Sequence, residues 1–422
     1  MSIGTEIVRG VIRPYRKLEM KRRLIGNTRD YEATWIDITD YVIEWPTIER
    51  GVTDDHVFGD FILPKISVTL HNRNRVFEDQ QSPYSLWYGT PTRYMTKFKI
   101  THGVYAKADG YTNTEVLGGT FYGVLFDEPK HGDDDTITIS IGDILQVFKN
   151  YSADLLTSIP TGVVTSSLIQ SFLDLQSGGV SIFDKFFEGA EVITTGTVTV
   201  QVPELEGKTV WEKMAEYAAI EGYIPEVGND GIFYYKDRTP GTTVVWDFVG
   251  GTLFDQTYGD TIISVDEIED GSNYVFNACT IKYDDTPSYA NVTSAWTPGD
   301  GTSYDLFGER QYSLDLFDLD STGASAAANK IVNANKTALR RYRLTTCYIP
   351  HLNTFDRVRI RYEGKPDLLT GRDALFWGIG RWGINRWSST RGPIKINNKE
   401  CKILNQKVDL NSFTSEFYLQ EV

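Results

Sequence analysis

The sequence contains a glycine pattern that is typical of dinucleotide-binding sites. Gly378, Gly380 and Gly383 have the G-x-G-x-x-G spacing with which such sites hold a pyrophosphate. That chemistry needs a strand before the glycines, a helix after them and an acidic residue about 20 positions on. Trp and Arg fill the gaps here, within a β-rich region. The sequence therefore predicts no cofactor at this segment.

The same segment carries side chains that suit the recognition of a surface. Indole rings can hold the apolar face of a sugar, whereas Trp and Arg together are enriched at protein interface hot spots. Simple core packing is the third alternative. We favour a partner-binding role, with these candidate residues: Trp377, Arg381, Trp382, Arg386 and Trp387.

The run from Asp318 to Gly323 resembles the start of a calcium-binding loop. Such loops close with a bidentate Glu at the twelfth position, and Asn329 stands there instead. We therefore predict that this run caps the helix that follows it. The histidines do not show metal-ligand spacing either: His56, His71, His102, His131 and His351. The sequence thus predicts no metal site.

Motifs for nucleophilic or phosphoryl-transfer chemistry do not occur in the sequence. It has no P-loop, no Ser-centred elbow and no H-E-x-x-H helix. A carboxylate pair of the glycosidase type forms only in the fold, so that alternative stays open at this stage. Cys279, Cys347 and Cys401 form no CxxC pair, and we expect buried thiols rather than disulfides.

Length and composition indicate a large β-rich protein. The 422 residues allow two or three domains at roughly 100–200 residues each. With 24 Tyr, 21 Phe and 9 Trp, the chain favours pleated sheets, which accommodate aromatic side chains. The basic N-terminus does not resemble a signal peptide, and no apolar run has the length of a membrane span.

Charge is distributed unevenly along the chain. Residues 1–29 hold eight Lys or Arg and two Glu, a balance of +6, which leaves −21 for the rest of a chain whose net charge is −15. We predict a basic arm that tethers the protein to an acidic neighbour, of which another copy of the chain is one candidate. A frayed, solvated terminus is the alternative. The candidate partner-binding residues in the arm are Arg9, Arg13, Arg16, Lys17, Arg22 and Arg23.

The chain is organised around a helix followed by a hairpin. Apolar residues recur at helical spacing from Val210 to Ala218, and Gly222 follows as a C-cap. The run Asn229-Asp230-Gly231 then predicts a tight turn between strands at residues 224–227 and 232–236. A helix this short must pack on the hairpin or on a neighbouring sheet.

Elsewhere, alternating apolar residues predict strands in two long stretches. The strands are expected at residues 35–42, 62–70, 98–102, 118–126, 136–141, 278–283, 344–349, 357–362, 402–408 and 413–419, with helices at 143–148, 166–175 and 324–341 and a loop at 49–60.

The fold class that follows is mainly β with an α+β insertion, namely two antiparallel β-domains with strands spaced like those of a small β-barrel or sandwich, and a small α/β module. The predicted domains are the arm (1–30), a first β-domain (31–142), the insertion (143–245) and a second β-domain with one helix and the Trp-rich loop (246–422).

The order of these segments resembles the tail-hub proteins of tailed bacteriophages, the baseplate hub or tail-tip family. The matching segments are IDITDYV near residue 40, ISVTLHNRNRVF at 66–77, TFYGVLFDEPKHGDDDTITISIGDIL at 120–145, the helix SSLIQSFLDL, the helix-hairpin module and the terminal NQKVDLNSFTSEFYLQEV. They cover most of the chain after residue 30, and their succession carries the resemblance.

The resemblance implies a non-enzymatic structural protein of the virion. It implies a homotrimer whose six β-domains continue a sixfold tail tube, while the insertions have threefold symmetry. The implied partners are a tail tube or distal tail ring protein on one side and a distal tip, fibre or spike protein on the other. Because the chain stops at Val422, after its last predicted strand, we expect attachments to be supplied by a partner.

The resemblance also implies where the protein is located and that DNA passes through it. The protein would be made in the host cytoplasm and end at the virion tail tip, where DNA passes through it without specific binding and without a membrane. The alternative is a carbohydrate-binding protein or glycosidase of a phage tail that uses the Trp-rich loop.

A channel for DNA should repel phosphates, because a basic wall would bind the genome through counterion release. The acidic surplus outside the arm could form such a wall, although acidic residues kept for solubility would give the same net charge. The candidate lumen-facing residues, each after or at the end of a predicted strand, are Asp127, Glu128, Asp284 and Asp285.

Overall fold

The computed structural model describes residues 13–22, 31–53, 61–79, 82–86, 95–107, 113–127, 129–131, 135–156, 161–176, 179–251, 253, 260–284, 288–293, 302–364 and 395–422. Its N-terminal strands are β1 (Pro14–Lys21), β2 (Ile36–Asp37), β3 (Val42–Glu44), β4 (Thr47–Gly51), β5 (Lys65–His71), β6 (Lys97–Lys107), β7 (Asn113–Leu125), β8 (Lys130–His131) and β9 (Thr136–Asp143). The middle of the chain contains β10 (Val163–Val164), α1 (Thr165–Leu173), α2 (Ile182–Phe186), β11 (Glu191–Ile193), β12 (Thr199–Val200), α3 (Val210–Glu221), β13 (Tyr223–Val227) and β14 (Phe233–Asp237). The C-terminal elements are β15 (Trp246–Gly251), β16 (Ile262–Glu269), β17 (Ala278–Asp284), β18 (Ser288–Thr293), α4 (Ser303–Phe307), β19 (Gln311–Asp315), α5 (Ser321–Asn335), β20 (Arg341–Cys347), β21 (Arg357–Glu363), β22 (Lys395–Asp409) and β23 (Thr414–Glu421).

The first sheet is antiparallel and open at both edges. Its order is β2-β1-β6-β7-β9-β5-β3, with β8 beside β9. Alternation explains which face is buried: in β5, Ile66, Val68 and Leu70 are buried while the residues between them face outward. The sheet therefore has one apolar face that must be covered by another part of the chain.

The second sheet closes into a barrel of six strands. The circuit runs β15-β16-β20-β23-β22-β21 and returns to β15, with parallel pairing on both sides of β15. Strand β4 adds to the outside of this circuit by pairing with β22, Lys407 opposite Glu49. The prediction of a loop at residues 49–60 is therefore wrong at its start. The polar residues of this segment gave no local sign of strand β4, because β4 pairs with β22, more than 350 residues further along the chain.

The open sheet and the barrel share one hydrophobic core. A single cluster joins fully buried residues of the first sheet, such as Leu18 and Ile100, to fully buried barrel residues such as Phe248 and Leu344. Between β3 and β5 the chain also leaves the first sheet, contributes β4 to the barrel and returns. The two β-units are thus fixed to each other by packing and by chain path. The predicted fold class, mainly β with two barrel-like units and an α/β module, is confirmed.

The insertion unit comprises residues 144–237 and 278–335. Its core cluster joins α3 and the hairpin β13–β14 to α5 and β17, so that Tyr217, Ile281 and Ile331 pack in one cluster. The prediction that the insertion ends at residue 245 was incomplete, because α5 and the sheet of β17, β18 and β19 pack into the core of this unit. Sequence order placed them in the second β-domain, and only long-range packing shows otherwise.

Local signals account well for the helix-hairpin module. Helix α3 begins with a capping box, in which Thr209 and Glu212 satisfy each other's backbone N–H groups, and it ends at Gly222 with φ +72°. Strands β13 and β14 pair antiparallel around the predicted turn. Both elements are confirmed.

Other helix predictions shift in position. Residues 144–150 form a 3₁₀ helix capped by Asp143, and the helix predicted at 166–175 is α1, which ends at Leu173. Helix α5 ends at Asn335, so Arg341 lies in β20 rather than at the helix terminus. The strand expected at 35–42 is interrupted by a 3₁₀ turn at Thr39–Tyr41.

Part of the predicted arm is an inner strand of the first sheet. Strand β1 lies between β2 and β6, and its Leu18 and Met20 are fully buried. The arm prediction is therefore wrong for residues 14–21. The many charges of this segment hid a period-two pattern in which apolar residues alternate with Lys17, Glu19 and Lys21.

None of the helices in the described ranges has the length and apolar character needed to cross a membrane.

Candidate functional site at the junction of the three units

The turn of the hairpin β13–β14 lies where the first sheet, the barrel and the insertion unit meet. On the first sheet, the Thr120 N–H of β7 donates to the Asn229 carbonyl at 2.9 Å. The Arg50 guanidinium of β4 donates to the Asn229 side-chain oxygen and, at 2.7 Å, to the Thr120 carbonyl. One turn residue thus connects two strands that come from different parts of the chain.

The same asparagine also binds the barrel. Its Nδ2 donates to the Leu352 carbonyl at 2.7 Å and more weakly to the Pro350 carbonyl at 3.4 Å, and its N–H donates to Asn353 Oδ1 at 3.3 Å. Residues 350–353 form the loop between β20 and β21. We define the junction as Arg50, Gly118–Thr120, Asn229 and the loop 350–353.

Close backbone approach is possible at the junction because glycines lie there. A Cβ added at Gly118 would lie 2.8 Å from Cβ of Pro350 and closer still to its Cγ, and one at Gly119 would lie 2.5 Å from Asn229 Oδ1. A Cβ added at Gly231, which has φ +79°, would lie 2.5 Å from Cε2 of the Tyr122 ring. These contacts leave no room for a larger residue and fix the spacing of the three units.

The junction buries charge as well as backbone. Burial lowers the pKa of Arg50. Burial also raises the pKa of Asp143 to about 6, against the opposing effects of its hydrogen bond from the Leu145 N–H and of the Arg50 charge. A half-buried cation with directed acceptors, such as Arg50, loses solvation that its protein partners have to replace. Such an arrangement favours one relative position of the units.

A second line of contacts joins the first sheet directly to the barrel. The imidazole of His102 lies 3.1 Å from the Tyr348 hydroxyl, and burial, with a smaller effect of Arg50, lowers the pKa of His102 to about 3. Nearby, the Arg16 guanidinium donates to the Leu410 carbonyl and lies 4.7 Å and 4.9 Å from the ring centroids of Trp45 and Phe413. These residues form an internal seam.

The predicted arm residues that the structure describes have partners within the chain. Lys17 pairs with Glu19 at 2.8 Å, and Arg22 pairs with Glu32 at 2.7 Å. Arg16 belongs to the seam. Arg13 is exposed, whereas Arg9 and Arg23 lie outside the described residues. Tethering by Arg16, Lys17 and Arg22 would therefore have to compete with contacts that these side chains already make.

Only two of the four candidate lumen residues, Asp127 and Asp284, lie within the described residues. Asp127 is exposed and pairs with Lys65, so a neighbouring cation compensates its charge. Asp284 ends β17, which belongs to the insertion unit and not to a β-domain as predicted. Glu128, Asp285 and the whole Trp-rich loop, with Trp377, Arg381, Trp382, Arg386 and Trp387, lie outside the described residues.

The run at 318–323 acts in folding, as predicted for a helix cap. The Asp320 carboxylate accepts from the Gly323 N–H at 2.7 Å and caps α5. Asp318 is buried, pairs with Lys213 at 2.7 Å and accepts from the Tyr217 hydroxyl at 2.7 Å. Within the described ranges, no three His, Cys, Asp or Glu side chains form a group able to hold a metal ion.

One polar cavity lies on the outer face of the barrel, between β4, β22 and β23. Its volume is about 240 Å³. The charged residues that line it pair with each other, Arg343 with Glu416 at 2.6 Å and Lys407 with Glu49 at 3.5 Å. Mutual compensation of this kind leaves neither carboxylate in the apolar surroundings that would prepare it as a general acid.

Comparisons with known proteins place the fold. No protein-family model matches the sequence, and no curated protein matches it either. Among solved structures, a tail protein from Neisseria meningitidis MC58 aligns over 96% of this chain and 96% of its own, at 9% identity and with a TM-score of 0.52. This chain has the fold of a tail protein.

Two prophage tail proteins align over similar lengths. The 43 kDa tail protein of prophage MuSo2 from Shewanella oneidensis gives 13% identity over 96% of this chain and 98% of its own, with a TM-score of 0.48. A prophage tail protein from Listeria monocytogenes EGD-e gives 10% identity over 95% and 94%, with a TM-score of 0.49. Since both scores lie below 0.5, the tail-protein fold rests on the Neisseria structure. The resemblance predicted from the sequence is confirmed at the level of the fold.

Proposed function

We propose that this chain is a structural, non-enzymatic protein of a phage tail that forms a homotrimeric hub. In this role it joins the sixfold tail tube, or a distal ring of it, to threefold components of the tip, and DNA passes through it without specific binding. The location would be the virion tail tip, after synthesis in the host cytoplasm.

The observation that carries the proposal is the junction. A hub that transmits load between a tube and a tip has to hold its β-units in one geometry. Here a turn of the insertion unit binds both β-units through Asn229, and β4, which lies between the first-sheet strands β3 and β5 in the chain, pairs with barrel strand β22. A shared hydrophobic core extends this connection over both units.

The fold supports the same proposal. The likeness to a tail protein covers nearly the whole of both chains, and two β-units per chain give six in a trimer. The candidates for partner contacts stay those of the Trp-rich loop, Trp377, Arg381, Trp382, Arg386 and Trp387, and those of the N-terminal segment, Arg9, Arg13, Arg16, Lys17, Arg22 and Arg23. For the lumen, Asp127, Glu128, Asp284 and Asp285 stay candidates.

Mass photometry of the purified full chain tests the proposed assembly. A trimer has a mass of about 143 kDa, three times the 47.7 kDa of one chain. A species at that mass supports the hub. A stable monomer at all accessible concentrations contradicts it, and a monomer that also binds glycans would favour the carbohydrate-binding alternative.

A further inference from the structure

Glu188 of the insertion unit lies among cations of the first sheet. It follows α2, and its Oε1 lies 2.7 Å from Lys21 Nζ of β1 and 3.9 Å from Lys97 Nζ of β6. Its Oε2 accepts from the indole N–H of Trp35 at 2.9 Å. We call Lys21, Trp35, Lys97 and Glu188 the Glu188 cluster.

The cluster has its anion on one unit and its cations on the other. Two other described carboxylates on this face of the sheet are engaged elsewhere: Glu19 pairs with Lys99 at 2.6 Å and with Lys17 at 2.8 Å, and Asp37, opposite Glu19 on β2, pairs with Lys17 at 3.5 Å. Among the ion pairs of the described residues, Glu188 is the carboxylate that pairs with Lys97. When the insertion unit lies against the first sheet, Glu188 therefore supplies Lys97 with a counter-ion.

Lys97 makes the docking depend on that counter-ion. Its side chain is only 5% exposed, and its Nζ lies 4.3 Å from the ring centroid of Tyr31. A buried cation that loses its carboxylate strongly destabilises the packing around it. Opening the contact to water would relieve that cost.

The titration behaviour of the two groups fits this geometry. Burial lowers the pKa of Lys97 to about 8, although the charge of Glu188 opposes the shift and that of Lys21 adds to it. Burial raises the pKa of Glu188, but hydrogen bonds from Lys21 and Trp35 and the charges of Lys21 and Lys97 outweigh it and hold that pKa below its ordinary value. Burial also raises the pKa of Tyr122 nearby, with Glu188 and Glu19 adding to the effect.

We propose that the Glu188 cluster is an electrostatic device that controls how tightly the insertion unit is held on the first sheet. The contacts of the junction are mainly hydrogen bonds to backbone groups and steric contacts at glycines. The Glu188 cluster adds a contact that depends on charge. When it is broken, the insertion unit separates from the sheet more often while both units stay folded.

Hydrogen exchange at one amide reports this separation. The Thr120 N–H donates across the boundary to the Asn229 carbonyl, so its exchange rate measures undocking. Amides of the β5–β9 ladder, which lies within the first sheet, measure opening of the sheet itself. The full chain is compared with Glu188→Gln, which removes the charge and keeps the size of the side chain.

We expect Glu188→Gln to accelerate exchange at Thr120 by about tenfold and to leave the β5–β9 amides unchanged, because the loss of the carboxylate leaves Lys97 uncompensated. Glu191→Gln is the matched control. Glu191 is exposed, lies three residues further on and undergoes the same change of charge, so exchange at Thr120 should stay at the rate of the unmodified chain.

A second variant separates an electrostatic device from a merely structural contact. Adding Lys97→Met to Glu188→Gln removes the cation that needs the carboxylate, so exchange at Thr120 should return to within about twofold of the original rate. The proposal is overturned if Glu188→Gln leaves Thr120 unchanged. It is also overturned if the double variant exchanges as fast as the single one, or if Thr120 and the β5–β9 amides accelerate equally.

Discussion

Replacing Gly118 by Ala tests whether the two β-units are held as closely as the junction shows. Gly118 is a buried residue of β7, and the new Cβ would lie 2.8 Å from Cβ of Pro350 and 3.2 Å from Cα of Gly103. Ordinary carbon contacts lie at about 3.5–4.0 Å. A proline ring and a strand backbone cannot rotate away as a long side chain could, so the two units must move apart.

Two opposing effects determine how much Gly118→Ala changes the free energy of unfolding. Overpacking of this kind typically costs about 1–3 kcal/mol. Replacing Gly by Ala also restricts the unfolded chain, which stabilises the protein by about 0.4–1 kcal/mol. The net loss in the free energy of unfolding should therefore lie between about 0 and 2.6 kcal/mol.

Gly241→Ala is the matched control. A Cβ at Gly241 would meet nothing within 4 Å, so this variant keeps the effect on the unfolded chain without the overpacking and should be neutral or slightly stabilised. Urea unfolding of both variants measures the difference, which we expect to be about 1–3 kcal/mol.

A double-mutant cycle assigns the loss to the proline. Adding Pro350→Gly removes the ring that the new methyl group meets, so Gly118→Ala should cost at least about 1 kcal/mol less in that background. Equal free energies of unfolding for Gly118→Ala and Gly241→Ala would refute the close contact. An undiminished cost beside Pro350→Gly would place the strain elsewhere.

Three further predictions concern the seam and β1. Arg16→Ala should lower the free energy of unfolding by about 1–3 kcal/mol, because it removes a hydrogen bond to the backbone and two cation–aromatic contacts. Lys17→Ala, the control, should lower it by less than about 1 kcal/mol. Urea unfolding measures both variants, and equal losses would contradict a stabilising role of Arg16 in the seam. Burial lowers the pKa of His102 in the folded chain to about 3, below its ordinary value of 6.5. Between pH 6.5 and about 3 the unfolded chain therefore binds a proton at His102 that the folded chain does not. The free energy of unfolding should fall by up to about 1.4 kcal/mol for each pH unit as the pH drops through this window. His102→Gln should flatten this slope in a series of unfolding curves, and an unchanged slope would mean that His102 is not its source. Removing residues 1–21 should abolish folding because it deletes β1. Soluble, cooperatively melting protein from this truncation would refute the place of β1.

Elements with local signals could be predicted from the sequence. Helix α3 has an apolar stripe and a terminal glycine, and the hairpin has its Asn-Asp-Gly turn, so both follow from residues within about thirty positions of each other. The alternation in β5 and β9 is equally local. The capping box of Thr209 and Glu212 was a further sequence signal for the start of α3.

What could not be predicted depends on contacts between distant residues. Strand β4 is recognisable only beside β22, whose Asn405 lies opposite Gly51. The junction was missed because Asn229 looks like any turn residue, and nothing local indicates that Leu352 accepts its amide. A signal was present in the adjacent pair Gly118-Gly119, since two glycines within a strand often mark a close backbone approach.

The charged N-terminal segment shows a different cause of error. Net charge describes how a segment meets solvent and partners, whereas strand formation depends on the alternation of buried and exposed positions. In β1 the two coexist, because Lys17, Glu19 and Lys21 occupy one face, on which Glu19 is itself buried, while Leu18 and Met20 fill the core on the other face. The charge balance alone therefore misplaced these residues in an arm.

Cryo-electron microscopy of the purified assembly tests the hub most directly. We expect a ring with threefold symmetry, in which the first sheet and the barrel of each chain alternate as six β-units around an open channel whose wall carries more Asp and Glu than Lys and Arg. A map in which the chains do not form a closed ring, or in which the β-units do not surround a channel, would contradict the proposed role.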